Sequence, residues 1–353
     1  MALTEDILGI DWGQVRFKRA LSGLVAILVA LTFISVAGTV TLIVIIATLF
    51  NVAAADDGPM SHRWVTMAEF TVAGAIVGGL AFWSFESAVG VAIVLGIATY
   101  LGTLVSAFGQ RAARAGLFLT LWAVIAMMLG TADTSPLAVS GAFVVGGVIA
   151  LAITALRLRF SDEDDADDDE ATVGEVEDED VAPPGSTWMR LRWASRGPMG
   201  EFAILRTSAV VLSTLVGFWI APEYGYWAPM TVIIVVKPSS SQTVSVAVQR
   251  TLGTALGALI AVAAVQQLPT SDAYAVIGFV VSAFFMVAFM NANYTLFAAF
   301  LTSTLVFAVR IAQADAYDAG IERVFATLAG AAISLVIVLV ATKMDNRDAD
   351  AQN

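Results

Sequence analysis

Two long apolar blocks, residues 20–156 and 202–342, flank a stretch that is almost pure acid: thirteen of the twenty residues from Ser161 to Asp180 are Asp or Glu. A membrane span needs about 20 apolar residues to cross roughly 30 Å of hydrocarbon. On that measure Ala20 to Phe50 is too long for one span, and Ala37-Gly38-Thr39 is the natural turn within it. Val65–Trp83, Val89–Ser106, Gly116–Gly130 and Leu137–Leu156 complete the first block. The second block divides into Glu201–Ile220, Trp227–Val236, Val246–Val265, Ala273–Met290, Thr295–Ile311 and Ile321–Thr342. The pattern therefore predicts an all-α integral membrane protein of about twelve transmembrane helices, arranged as two six-helix bundles.

The two blocks also resemble each other. Val40-Thr41-Leu42-Ile43-Val44-Ile45-Ile46 parallels Met230-Thr231-Val232-Ile233-Ile234-Val235-Val236, and Phe118-Leu119-Thr120 parallels Phe300-Leu301-Thr302. Thr71 to Gly78 parallels Thr251 to Ala258, with a register open by one residue. An even number of spans per copy makes the repeats parallel, with a pathway expected between them. Lys and Arg mark the cytoplasmic ends of spans. If both termini are cytoplasmic, nearly all of these residues lie inside, and only Arg310 and Arg323 fall towards the outside, with an anchor role preferred for both. The expected organisation is a cytoplasmic segment over residues 1–19, in which Leu3–Phe17 reads as an interfacial helix, a first bundle over 20–157, and a cytoplasmic linker over 158–200. A second bundle follows over 201–342, then a tail over 343–353.

Composition narrows the function. The chain is 58% hydrophobic and 14% charged, with mean hydropathy +0.82; soluble domains are about a quarter charged. Its net charge of −12 resides in the acidic stretch, and the rest is near neutral, so the charge describes a solvated tether and not a binding surface. No basic stripe supports a nucleic-acid partner. There is no cysteine, and His62 is the single histidine, in a polar loop. Zinc and triad chemistry therefore have little to work with, and no metal, cofactor or enzymatic activity is expected.

The densest segment runs from Tyr224-Gly225-Tyr226-Trp227-Ala228-Pro229-Met230-Thr231 to Lys237-Pro238-Ser239-Ser240-Ser241. Its apolar part, Trp227 to Val236, is about 15 Å of helix, half a bilayer. Paired short segments in two repeats point to a transport site; the alternative is an ordinary span with extended ends. Gly74/Gly78 and Gly253/Gly257 lie four apart within apolar helices and read as close helix contacts. Ionisable residues inside a membrane face a cavity or a partner. Arg206, Lys237 and Arg250 approach the cytoplasmic side of the second block and would attract organic anions, with snorkelling at helix ends as the alternative. Glu69 and Arg323 are candidates for a coupling or ion-pair role. Asn291, Asn293 and Tyr294 read as an inner turn, and Trp64, Trp83, Trp188, Trp219 and Trp227 as interface belts.

Tyr226-Trp227-Ala228-Pro229-Met230-Thr231, the Val-rich run to Pro238, Arg250-Thr251-Leu252-Gly253-Thr254-Ala255-Leu256-Gly257-Ala258, and Glu322-Arg323-Val324 followed by Ala329-Gly330-Ala331 together resemble the signature of the fusaric-acid-resistance-like family. That family includes aromatic acid exporters and is distantly related to plant aluminium-activated malate transporters. The resemblance covers about residues 200–342; the first half lacks the Trp-Ala-Pro-Met-Thr and Arg-Thr-Leu-Gly-Thr elements. Family members often carry a large cytoplasmic domain where this chain has its acidic linker. The resemblance implies two six-helix bundles and export or conductance of organic, often aromatic, carboxylates. It carries Arg250 and Arg323 over as family arginines, with Lys237 at a variable position.

These readings converge on an inner- or plasma-membrane exporter or conductance pathway for organic carboxylate anions, not driven by ATP within this chain. Tyr226, Trp227, Thr231, Arg206, Lys237 and Arg250 form the expected substrate site. The expected partners are the bilayer and a small organic anion, with a homo-oligomer or an accessory protein left open. The alternative is a non-transporting membrane scaffold whose acidic linker recruits a cytoplasmic partner.

Overall fold

The computed structural model describes residues 9–15, 39–54, 60–129, 134–160, 187–221, 225–267, 272–311 and 316–351, with isolated positions at 17, 20, 21 and 24. Most of the expected first span, the Ala37-Gly38-Thr39 turn up to Gly38, residues 3–8 and 16 of the expected Leu3–Phe17 helix, and the acidic run Ser161–Asp180 lie outside the described residues. Where that helix is described, Asp11 and Val15 are extended on either side of a 3-10 turn, so it is not one continuous helix. In hydrocarbon every backbone N–H and C=O must be paired within its own segment or a closed barrel. The Val- and Ile-rich runs therefore wind into helices despite their β-branched side chains, and no strand occurs among the described residues.

The helices of the first half are α1 (Thr39–Ala54), α2 (Met60–Trp83), α3 (Ala88–Val105), α4 (Gln110–Leu129) and α5 (Pro136–Phe160). A short helix, α6 (Thr187–Ala194), precedes those of the second half: α7 (Pro198–Ile220), α8 (Trp227–Val235), α9 (Ser240–Gln267), α10 (Asp272–Phe289), α11 (Tyr294–Ile311) and α12 (Ala316–Ala351). Seven of these helices are long and apolar enough to cross a membrane, and α1, α4 and α10 contain shorter apolar stretches. The outward faces carry stripes such as Val89, Ile93, Ile97 and Leu101 on α3 and Leu252, Leu256 and Ile260 on α9. Continuous exposed stripes of this kind suit lipid and not water.

The segment expected as a linker thus holds a helix, α6, whose Leu191 and Ala194 pack on Leu104 and Ala203. At the N-terminus, a 3-10 turn at Trp12–Gln14 is described. Its neighbours dock on the turn between α10 and α11: the Asp11 amide donates to the Ala292 carbonyl at 3.1 Å, and the Asn293 side chain donates to the Gly9 carbonyl at 2.7 Å.

The same pairs of helices pack in the two halves. α2 meets α4 and α5 as α9 meets α11 and α12; α1 meets α5 as α8 meets α12; α3 meets α4 as α10 meets α11. The burial pattern also fixes the register left open by the sequence: Gly74 and Gly78 occupy the places of Gly253 and Gly257. Between the halves, α7 lies along α3, and α8 touches α4. Each small residue permits a close approach. A Cβ on Gly253 or Gly257 would run into the Thr295 or Ala299 carbonyl of α11, while one on Gly74 would strike the Phe143 ring.

Candidate functional site

The site is built around α8, which is nine residues long and buried at every position. Its shortness has local causes. After α7 the chain turns back so tightly that Gly225 lies against Phe218, and a Cβ on Gly217 would meet the Gly225 carbonyl. Both glycines are required by that approach. Trp227 therefore begins the helix inside the protein, 2% exposed. Pro229 falls in the first turn, where a missing N–H costs nothing. At the other end Pro238 disfavours helical backbone at Lys237, and the chain leaves after Val235. The Lys237 amide then donates to the Thr243 hydroxyl at 3.0 Å.

Four cations surround this short helix in two pairs. Arg206, on α7, donates from Nη2 to the Ile233 carbonyl and from Nη1 to the Thr103 hydroxyl of α3 at 3.3 Å. It thereby closes the C-terminal end of α8, where carbonyls lack intrahelical partners and the dipole is negative. Lys237 lies beside it; burial, with the like charge of Arg206 adding, pushes its ammonium down to about 8. The expected cluster of Arg206, Lys237 and Arg250 is divided, because Arg250 belongs to the second pair.

That second pair is Arg250 on α9 and Arg323 on α12. Both are fully enclosed, at 0% and 1% exposure, and each is within electrostatic reach of the other. The Arg323 guanidinium stacks over the Trp227 ring at 4.1 Å. Its Nε donates to Thr302 Oγ1 at 3.3 Å, and Nη1 and Nη2 contact the Met230 sulfur at 3.7 and 3.8 Å. Arg323 is therefore not an outer anchor: seven residues into α12, it turns inward over the buried start of α8. Trp227 is likewise not a belt residue, in contrast to Trp83 and Trp219, which stand 73% and 83% exposed at helix ends.

Arg250 is the more unusual of the two. None of its three guanidinium nitrogens makes a hydrogen bond. Tyr294 Oη lies near enough to interact with both arginines, yet also lacks hydrogen-bond geometry to any partner. Trp227 Nε1 and the hydroxyls of Thr254 and Thr295 are buried and unsatisfied as well. The charged and phenolic groups that act on Arg323 are Arg250, Tyr226 and Tyr294. The pocket thus presents charged and neutral N–H and O–H groups at the N-terminal end of a short helix, where the dipole is also positive. Buried donors without acceptors cost several kcal/mol in aggregate at about 1–3 kcal/mol each, and an anion would satisfy them.

The remaining expected residues have plain positions. Thr231 Oγ1 meets Thr327 Oγ1 at 3.5 Å across α8 and α12. Tyr226 lies tilted against Trp227 with ring centroids 5.0 Å apart, and the ring of Phe85 of the first half lies 6.5 Å from that of Tyr226. Glu69 is exposed on the outward face of α2 beside Val65 and Val72, and pairs with none of the four cations. Asn293 lies in the turn between α10 and α11 and caps α11 through the Leu296 amide at 2.9 Å; Tyr294, the next residue, reaches the arginine cluster. Thr254 belongs to the Arg250–Ala258 element, whereas only the packing of α9, α11 and α12 brings Thr302 and Tyr294 to Arg323 and Arg250.

Among the described residues the first half shows no matching pair of buried arginines. In the aligned register Thr71 stands in the place of Arg250, with its hydroxyl bound to Asn51 Oδ1 at 2.9 Å and the Met67 carbonyl at 2.7 Å. Trp122 and Phe143 pack against Gly78 and Gly74 with ring centroids 4.5 Å apart, and Trp122 Nε1 donates to the Gly74 carbonyl at 2.8 Å.

Helical spans around a buried cluster of cations and hydroxyls define an all-α membrane protein. Residues 207–337 match the family model described as fusaric acid resistance protein-like, a family of membrane transport proteins, so the half that holds the pocket is the half that carries this domain. No curated protein and no solved structure matches the chain.

Proposed function

We propose that the protein is an exporter or conductance pathway for organic carboxylate anions, aromatic ones foremost, in the inner or plasma membrane. The observation that carries this reading is the Arg250–Arg323 pair, buried with no ion pair among the described residues and with Tyr294 Oη as the neighbour of Arg250. An arginine fork matches a carboxylate in two parallel hydrogen bonds. The rings of Trp227 and Tyr226 beside it suit an aromatic acid. Arg206 and Lys237, at the other end of α8, would draw anions towards the pocket, and Arg206 also holds α8 in place. The reading places both termini in the cytoplasm. It takes the matching helix pairs as halves of a twelve-span, two-repeat architecture, in which α8 is the half-span.

A negative cell interior favours outward anion movement by about 2.3 kcal/mol per charge per 100 mV, so no ATP site is needed. The test is flux of benzoate into and out of proteoliposomes, at fixed membrane potential, with and without a pH gradient. Benzoate flux in the wild type and its loss in correctly inserted Arg250→Ala and Arg323→Ala variants is the expected result. Normal flux in both variants would remove the site. Dependence on the pH gradient would mark a proton-coupled carrier, and dependence on voltage alone a channel.

A further inference from the structure

We propose that the apolar cavity on the seam between the two halves is the subsite for the ring or hydrocarbon tail of the anion, and that Met230 is the movable divider between this subsite and Arg323. The inference rests on the anion-transport reading above and assigns the parts of the substrate to opposite sides of one side chain.

The cavity is about 30 Å³ and has no polar surface. Phe50, Phe118 and Leu121 of the first half face Met286, Phe297 and Leu301 of the second, and Met230 closes it. A cavity of that volume has room for water, but a water there would find none of the two to four polar partners it needs; dry apolar cavities take apolar ligands instead. An aromatic ring is larger than the space as it stands, so the walls must yield. Three of them are the methionines Met230, Met286 and Met290, whose unbranched side chains repack readily.

Met230 is also the residue that touches Arg323, through its sulfur on both terminal nitrogens. A thioether is a weak acceptor, and a carboxylate offers the same two nitrogens a charge-assisted, two-pronged contact. The Met230 sulfur holds the place on Arg323 that the proposal gives to the anion. An arriving carboxylate displaces it, the thioether swings aside, and the head group on Arg323 becomes continuous with a tail in the seam. The first half then contributes walls and no cation.

The test measures benzoate, acetate and 2-naphthoate affinities of the purified full chain by tryptophan fluorescence. Leu121→Phe narrows the cavity and lowers the benzoate-to-acetate affinity ratio at least tenfold. Phe118→Ala widens it and raises the 2-naphthoate-to-benzoate ratio, and carries the test alone if the first variant fails to fold. Met230→Leu removes the sulfur at nearly constant volume and tightens both acetate and benzoate severalfold, because Arg323 loses its internal competitor. Ratios unchanged in the cavity variants, with wild-type benzoate binding intact, overturn the tail subsite and leave the anion site standing. Weaker or equal binding in Met230→Leu overturns the divider. A wild type that binds none of the three anions overturns the anion reading itself, and the subsite with it.

Discussion

Replacing Arg250 by methionine separates a functional charge from a structural one. The guanidinium is fully enclosed, none of its nitrogens has a hydrogen-bond acceptor, and Arg323 adds a like charge. Exchanging a buried ionic group for an apolar side chain of similar volume is often neutral or stabilising by about 1–4 kcal/mol, and the absence of any paired carboxylate places Arg250 in the upper part of that range. Arg250→Met should therefore raise the thermal stability of the detergent-solubilised protein by about 2–4 kcal/mol. It should also lose the stabilisation that benzoate confers on the wild type, about 2.7 kcal/mol at a ligand concentration 100 times Kd. Tryptophan-fluorescence melting with and without benzoate reads both effects in one experiment. A variant that is less stable than the wild type yet keeps its benzoate response would refute the reasoning, because it would show Arg250 holding the fold together through contacts that outweigh its desolvation.

Flux that depends on Lys237 should fall as cytoplasmic pH rises through about 8, where its depressed ammonium loses its proton, and Lys237→Arg should flatten that profile. The sign for stability is the reverse: between about 8 and the ordinary lysine value of 10.5 the unfolded chain binds more protons, so folding stability contributed by this group rises with pH. Arg206→Met should destabilise by about 1–3 kcal/mol, since the Ile233 carbonyl at the end of α8 loses its donor; a melting temperature at or above that of the wild type would disprove the capping role. Gly257→Ala should impair folding, because the new Cβ runs into the Ala299 carbonyl of the packed α11. Gly141→Ala meets nothing within 4 Å and should gain up to about 1 kcal/mol of helix propensity; the two yields after membrane extraction provide the comparison.

Much of this protein was legible in the chain, because the bilayer reduces the choice of structure to helices and the apolar run lengths reveal them. The ends of α3, α7, α10 and α11 fall within a few residues of the apolar boundaries. The brevity of α8 was readable from its short apolar run and from Pro238, whose restriction of the preceding residue needs no tertiary contact. So was Arg250, as a charge inside an apolar run. The sequence could not group the cations. It joined Arg250 to Arg206 and Lys237 by their distance from the cytoplasmic ends, and set Arg323 apart near the outer face. Helix packing decided otherwise: α9, α11 and α12 close around the start of α8, so Arg323 reaches inward onto Trp227 while Arg206 turns to the far end of the same helix. Depth along one helix is a local quantity, written by residue count. Which side chains share a pocket depends on the rotation of several helices about their axes, and that is settled only when their small residues and rings interlock.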